Sequence, residues 1–163
     1  MYEKLIDLLD SEGARYRVLD HAPEGRTDLV SELRGNALAQ AAKCVVVMVK
    51  IGKRTRRHVL AVVPGDRRVD LAGLRDLLGG SYAAFASQEV AEALAGSASG
   101  TILPFTWHPD LELIVDPALV EQEELYFNAA RLDRSIALST NDYVAITRPR
   151  VERIATAAAG STP

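Results

Sequence analysis

The chain has 163 residues, of which 48% are hydrophobic and 25% are charged, with a formal net charge of −3. This length and composition predict a single globular domain over residues 1–163 with a sizeable core. The slightly acidic balance excludes binding to DNA or to an anionic membrane through overall charge, so any such contact needs a local basic patch. Cys44 is the only cysteine, which excludes an internal disulfide and favours a reducing compartment.

No segment has the pattern of a targeting signal or a membrane span. The N-terminal stretch MYEKLIDLLD is amphipathic and acidic, unlike a secretory signal peptide. The apolar runs fall short of the ~20 residues that cross a bilayer. We therefore expect a cytoplasmic protein without a membrane partner.

Short helices and strands alternate in the first third of the chain. The periodic leucines of MYEKLIDLLD predict a helix that ends at Gly13, and YRVL predicts a strand. Thr27 is expected to cap the next helix, over DLVSELR. A helical turn then leads into a buried strand over residues 44–50.

Two apolar runs, CVVVMVK and HVLAVV, predict a β-hairpin in the middle of the chain. The segment IGKRTRR between them predicts a long tip, and Pro64-Gly65 is expected to end the second strand. Asp70 and Ser87 are then expected to cap two helices, with a short strand between them.

The last third is predicted to contain three strands and a closing helix. The strands lie over LELIVD, ELYFNAA and SIALS, and the helix over TNDYVAIT. The tail VERIATAAAGSTP is interpreted as a frayed helix. Hairpins mixed with helices, without regular βαβ spacing, predict an α+β fold.

Lys43 is the first candidate for chemistry. The sequence has no Gly-rich nucleotide loop, nucleophile elbow or cluster of metal ligands, so we expect neither a metal nor a cofactor. In a regular strand Lys43 shares a face with Val45, Val47 and Val49, and is partly removed from water. It is either an edge lysine that reaches water or a cation that polarises a carbonyl or binds a phosphate.

Other candidates are a loop, a cysteine and a basic tip. Glycine and proline in SGTILPF allow a loop whose amides point at one oxygen, or a simple crossover. Cys44 is interpreted as core filler rather than as a nucleophile. The hairpin tip is either a solvated turn or a contact for RNA phosphates, through Lys50, Lys53, Arg54, Arg56 and Arg57. Arg67 and Arg68 form a second candidate contact for phosphates.

The segments DHAP…RT, AAKCVVV, VVPGDRRVDL, SGTILPF, LIVDPAL and YFNAARLDRSIALST occur in an order that resembles the YbaK/ProX family. These proteins are free-standing relatives of the editing domain of bacterial prolyl-tRNA synthetases, and the resemblance covers roughly residues 15–147. It implies a curved, barrel-like mixed sheet with flanking helices. It also implies hydrolysis of the ester of a mischarged aminoacyl-tRNA, with a small amino acid on tRNA(Pro) or a related tRNA.

The resemblance assigns Lys43 to activity and places the loop from Gly100 to Pro104 against the aminoacyl group. On this hypothesis water attacks the ester, while Lys43 and the amides of residues 100–103, Thr101 included, contact the substrate. Ile102, Leu103 and Phe105 would form a small apolar pocket. Four more residues match positions that recur in the family, and the resemblance defines their roles less closely: His21, Thr27, Asp66 and Asp116.

Two departures from the family pattern bear on function. Ala130 stands where many relatives carry glycine, and Cys44 stands where some carry asparagine or threonine. The alternative to an enzyme is a module that binds aminoacyl-tRNA or an amino acid without turnover. The expected partners are mischarged aminoacyl-tRNA and an aminoacyl-tRNA synthetase.

Overall fold

The structure, a computed structural model, describes residues 1–157. The helices are α1 Tyr2–Ser11, α2 Thr27–Arg34, α3 Leu71–Leu77, α4 Gln88–Ala95, α5 Pro117–Val120 and α6 Thr140–Thr147, with a 3₁₀ turn at Leu38–Gln40. The strands are β1 Tyr16–Asp20, β2 Ala42–Ile51, β3 Thr55–Pro64, β4 Tyr82–Phe85, β5 Leu111–Val115, β6 Glu124–Asn128, β7 Arg134–Ser139 and β8 Arg150–Val151. Within this part of the chain, every helix is too short or too polar to cross a membrane.

The strands form two sheets, which confirms the α+β class but divides the predicted curved sheet in two. One sheet has the order β4-β2-β3-β5-β8 and the other has the order β1-β7-β6. An isolated bridge between Ala41 and Tyr126 links the start of β2 to β6. The start of β2 therefore lies where the two sheets meet.

Successive side chains of β2 and β3 point to opposite faces of the sheet, and each face packs against a different hydrophobic core. Val46, Leu60 and Val62 face the core that contains α1, α6 and the three-stranded sheet. Val47 and Val59 face the second core, which α3 covers. Both faces of this hairpin are buried, and this explains the nearly continuous apolar sequence of its strands.

The hairpin is tighter than predicted. The last pair of its register joins Ile51 to Thr55, so only residues 52–54 form the turn. Gly52 adopts the left-handed conformation that such a turn requires, with φ 65°. The prediction of a long tip was wrong, because Arg56 and Arg57 belong to β3.

Two predicted helix caps are confirmed and one is wrong. The Asp70 carboxylate accepts a hydrogen bond from the Gly73 amide at 3.0 Å, and the Ser87 hydroxyl accepts one from Val90 at 3.2 Å. Thr27 is the first residue of α2 rather than its cap, because Arg26 occupies the cap position.

The last part of the chain differs most from the sequence prediction. Helix α5 was missed, although Asp116 followed by Pro117 is a typical start of a helix. The frayed helix predicted over the tail is wrong for residues 151–157. There the chain pairs as β8, and Ala155 forms a bridge with Val69. Residues 158–163 of that prediction lie outside the described residues.

Candidate functional site

A pocket of about 190 Å³ opens where β2 begins. Four parts of the chain line it: α2 with the residues just before it, the first residues of β2, the loop before β5, and the end of β6. The lining residues are Gly25, Thr27, Val30, Arg34, Ala41, Ala42, Lys43, Cys44, Gly100, Ile102, Phe127 and Asn128. The pocket thus brings together Lys43, Gly100, Thr27 and Ile102 from the sequence-based candidates.

Lys43 is half-buried and lines the pocket. Val45, Val47 and Val49, which were predicted to share its strand face, all belong to or pack against the second core. The ammonium of Lys43 donates a hydrogen bond to the main-chain carbonyl of Arg67. Burial lowers the pKa of Lys43, the positive charge of Arg68 lowers it further, and Asp66 acts in the opposite direction. Among residues 1–157 no carboxylate lies within ion-pair distance of this ammonium, and its hydrogen bond goes to a neutral carbonyl.

Two glycines bring main chains into contact at one wall of the pocket. Gly100 has φ 86°, in the left-handed region that favours glycine. A Cβ atom at Gly100 would lie 3.3 Å from the Cα atom of Gly25. A larger residue at Gly100 would therefore be strained by its positive φ and would press the main chain of Gly25 by a few tenths of an ångström.

The remaining residues of the SGTILPF loop take different roles. The Thr101 amide donates to the Ala98 carbonyl at 3.0 Å, so this amide is already engaged within the loop. Leu103 and Phe105 are 2% and 4% exposed and belong to the first core. The carbonyl of Pro104 accepts a hydrogen bond from the buried Tyr143 hydroxyl at 2.6 Å. The loop is anchored at its far end, and Gly100 and Ile102 are the members that reach the pocket.

A polar network behind the pocket was missed by sequence reasoning. Asn128 donates through Nδ2 to the carbonyls of Glu24 and Gly100, each at 2.9 Å. Its Oδ1 accepts a hydrogen bond from the fully buried Ser135 hydroxyl at 3.0 Å. Arg34 Nη1 donates to the same hydroxyl oxygen at 3.2 Å. Asn128 thereby ties Gly100 to the residues that hold Arg34.

His21 and Asp66 lie just outside the pocket. His21 Nε2 is 2.7 Å from the Ser135 hydroxyl oxygen, so His21 supports the network without lining the pocket. Asp66 lies near Lys43, and its buried Oδ1 has no hydrogen-bond partner among the described residues. Thr27 packs its methyl group against Gly65, where a Cβ atom would be only 2.7 Å away. Roles for these three residues in substrate binding stay predictions.

Asp116 does not line the pocket, and its carboxylate accepts hydrogen bonds from three main-chain amides. It accepts hydrogen bonds from Ala118 at 2.9 Å, Ile154 at 3.0 Å and Ala155 at 2.9 Å. The residue is 1% exposed and caps α5. These contacts hold the tail next to β5. The hydrogen bonds of the Asp116 carboxylate are therefore made to the main chain and not to the pocket.

Cys44 lines the pocket but packs against the first core, in agreement with its interpretation as filler. Burial raises the pKa of its thiol well above the usual range. A thiol with a raised pKa is a poor nucleophile at neutral pH.

The basic residues divide into an exposed tip and a group near the pocket. Lys53, Arg54 and Arg56 are exposed at the hairpin turn. Arg57 is paired with Glu112, which also lies 3.6 Å from Arg150. Arg67 and Arg68 lie at the other end of the hairpin, next to Lys43. Contact of these six predicted residues with tRNA stays a prediction.

A family model described as the aminoacyl-tRNA editing domain matches residues 22–146 of this chain. The chain belongs to this family. That membership confirms the family predicted from the ordered motifs, and its span includes every element that lines the pocket.

One relative is the multifunctional Ser/Thr-tRNA deacylase ProXp-y of Escherichia coli strain K12. The two sequences are 43% identical over 151 residues, which cover 92% of this chain and 90% of the relative. The same protein from Escherichia coli O157:H7 matches equally well.

Solved structures with the same fold include a hypothetical protein with a TM-score of 0.83 and 21% identity, which covers 94% of this chain and 99% of the other. Another is a provisionally assigned trans-editing enzyme for prolyl tRNA synthetase. Its TM-score is 0.77 and its identity 20%, with coverage of 96% of this chain and 97% of the other. At these identities the likeness shows the fold alone.

Proposed function

We propose that this protein hydrolyses the ester between serine or threonine and the 3′ end of a mischarged tRNA. The observation that carries this proposal is the pocket of about 190 Å³, which both Lys43 and Gly100 line. The membership in the editing family and the relative named as a Ser/Thr-tRNA deacylase confirm the predicted enzyme class, an aminoacyl-tRNA deacylase. The identity of the amino acid follows from the relative and is part of the proposal.

The size of the pocket supports a small aminoacyl group. Sites for drug-sized ligands measure roughly 300–1,000 Å³, well above the volume found here. The walls combine the apolar Val30, Ile102 and Phe127 with the polar Thr27 and Asn128. A short side chain with a hydroxyl group suits such a mixed surface, whereas a large side chain would clash with it.

The reaction needs positioning and charge stabilisation more than a strong nucleophile, because an aminoacyl ester is already activated. Water attacks the ester carbonyl, a new C–O bond forms, and negative charge develops on the carbonyl oxygen. The C–O bond to the ribose then breaks, and the proton from water reaches the ribose oxygen, with the neighbouring ribose hydroxyl as its relay. Lys43 and the amides of Gly100 and Ile102 are the proposed contacts for the developing charge.

The wider setting of this activity is also a proposal. The single domain over residues 1–163 would act on tRNA released by an aminoacyl-tRNA synthetase, in transient association with that enzyme. It would work in the cytoplasm, where charged tRNAs are used. The exposed cations Lys53, Arg54 and Arg56 would contact the phosphates of the tRNA.

The test is a deacylation panel with the purified protein. The substrates are tRNA(Pro), tRNA(Ala), tRNA(Thr) and tRNA(Ser), charged in separate preparations with Ser, Thr, Ala, Cys or Pro. We expect release of serine and threonine and little release of proline. Release of alanine or cysteine alone would keep the deacylase but reject the proposed amino acids. Tight binding of charged tRNA without any release would favour the alternative, a binding module without turnover.

A further inference from the structure

Arg34 carries a positive charge for which the described part of the protein provides no counter-charge. It lies in the last turn of α2 and lines the pocket, where it is half-buried. Its three hydrogen bonds go to neutral oxygens: Asn36 Oδ1 at 3.0 Å, Ser135 Oγ at 3.2 Å and Ser31 Oγ at 3.3 Å. Among residues 1–157, no carboxylate forms an ion pair with its guanidinium.

Two arginines elsewhere in the protein have the carboxylate partner that Arg34 does not have. Arg75, also in the last turn of its helix, pairs with Asp76 at 3.0 Å. Arg15 pairs with Asp142 on α6, likewise at 3.0 Å. Burial lowers the pKa of Arg34 to about 10, so the guanidinium remains charged at neutral pH. A charge removed from water without a partner is costly, and a ligand can supply the partner.

The guanidinium is also fixed in orientation with donors to spare. Of its five N–H groups, one each on Nε, Nη1 and Nη2 is used, which leaves one on Nη1 and one on Nη2. Ser135 and Ser31, which hold it, are 0% and 2% exposed. An arginine with a free N–H donor on each Nη atom is suited to hydrogen-bond the oxygens of a phosphate.

We propose that Arg34 binds the phosphate between the last two nucleotides of the tRNA, and so positions the terminal ribose over the pocket. This inference rests on the proposed function, because it takes aminoacyl-tRNA as the ligand. The phosphates are the only formal negative charges of that substrate, whereas the amino group of the aminoacyl moiety is positive. The phosphate nearest the ester is the one on the 5′ side of the terminal ribose.

The pocket itself is too small to hold a nucleotide beside the aminoacyl group. The ribose and its phosphate must therefore stay at the mouth, where the half-buried Arg34 can reach them. Asn128 links the Arg34 network to Gly100 through its hydrogen bond to the Gly100 carbonyl. A phosphate held by Arg34 would then set the distance of the ester from the Gly100 loop.

The test compares two RNA microhelices that end in CCA and differ only in the last internucleotide linkage. One carries the natural phosphodiester and the other an uncharged methylphosphonate, and Kd is measured by fluorescence anisotropy. A charge-assisted contact predicts that the wild-type protein binds the methylphosphonate RNA about 10-fold to 100-fold more weakly. The Arg34→Met variant should bind both RNAs equally and weakly, and Arg75→Met should behave as the wild type.

Arg34→Lys keeps a charge without the planar fork and should retain part of the discrimination. If circular dichroism shows that Arg34→Met does not fold, the inference is still tested by the binding of the two RNAs to the wild type and to Arg34→Lys. Equal binding of both RNAs by the wild type, or no binding of either, would overturn the inference. So would full discrimination by Arg34→Met. The assay involves no ester, so failure of the proposed deacylation would be seen only in the separate panel.

Discussion

The two ends of the β2–β3 hairpin carry positive charge in different ways. At the pocket end, Lys43 is half-buried and donates to a main-chain carbonyl, and Arg34 beside it is held by hydroxyl and amide oxygens. At the turn, Lys53 and Arg54 are exposed to solvent. With ten residues in β2 and ~3.3 Å per residue, the ends are roughly 30 Å apart.

This difference separates two tasks in the binding of a long, charged ligand. A fixed and partly desolvated cation acts strongly on one nearby group, because water screens it little. Exposed cations attract many phosphates without geometric selection and are screened by salt. We therefore expect substitutions at the pocket end to change kcat or the binding of one phosphate, and substitutions at the turn to change KM.

The largest effect is expected from Lys43→Ala. Loss of one donor to a developing oxyanion typically costs ~10²–10³ in rate, so kcat for release of serine should fall by that factor. KM should change little, because the contact strengthens mainly in the transition state. Single-turnover deacylation measures the effect, with Lys4→Ala on α1 as the control. An unchanged kcat would remove Lys43 from the reaction and leave the Gly100 and Ile102 amides as the remaining contacts.

A second prediction concerns pH. The pKa of Lys43 is lowered by burial, so its ammonium loses a proton at lower pH than an ordinary lysine. If the charged form is active, kcat should fall up to tenfold per pH unit above that pKa, after subtraction of spontaneous ester hydrolysis. In Lys43→Arg the cation stays protonated, and the alkaline fall should disappear.

Loss of stability through the titration of Lys43 would not explain such a fall. A lysine with a lowered pKa in the folded state binds its proton more tightly when unfolded. Its contribution to stability therefore rises with pH between the folded and the unfolded pKa. A profile that is flat for the wild type would contradict a role for the Lys43 charge.

The strand face of Lys43 could be predicted from the sequence, and a role for it came only from the family resemblance, whereas Arg34 had neither signal. The alternation along CVVVMVK placed Lys43 on its face of the strand, and local spacing identified the caps at Asp70 and Ser87. These features depend on residues a few positions apart. The contact of Arg34 with Ser135 joins residues separated by 101 positions, and nothing in the local pattern distinguishes Arg34 from a surface arginine.

The prediction that Leu103 and Phe105 form pocket walls shows the same limit. Apolar type alone cannot tell a pocket wall from the core, and the structure places both side chains in the core. The role of Asp116 could have been predicted from the sequence, because Asp before Pro is a typical start of a helix. That signal would have assigned its carboxylate to a cap rather than to substrate.

A third prediction addresses the hairpin turn. Replacing Lys53, Arg54 and Arg56 together by glutamine should raise KM for charged tRNA by roughly an order of magnitude at low salt, with kcat unchanged. The slope of log KM against log salt should fall by roughly 2 to 3, at ~0.9 per phosphate contact. Arg57→Gln should have a smaller effect, because Glu112 already pairs with Arg57. An unchanged KM in the triple variant would reject tRNA binding by the turn.

The smallest expected effect is Ala130→Gly, which tests whether the departure from the family pattern at the pocket end concerns stability or function. Ala130 has φ 61°, a left-handed conformation that costs a non-glycine residue ~1–2 kcal/mol. Glycine should therefore raise the free energy of unfolding by about 1 kcal/mol and Tm by roughly 2–4 °C, with kcat unchanged. Ala129→Gly, at a buried neighbour without positive φ, should lower Tm instead. A gain in kcat without a gain in Tm would mean that Ala130 limits turnover, as the binding-module alternative requires, and would place the loop after β6 among the parts that act on substrate.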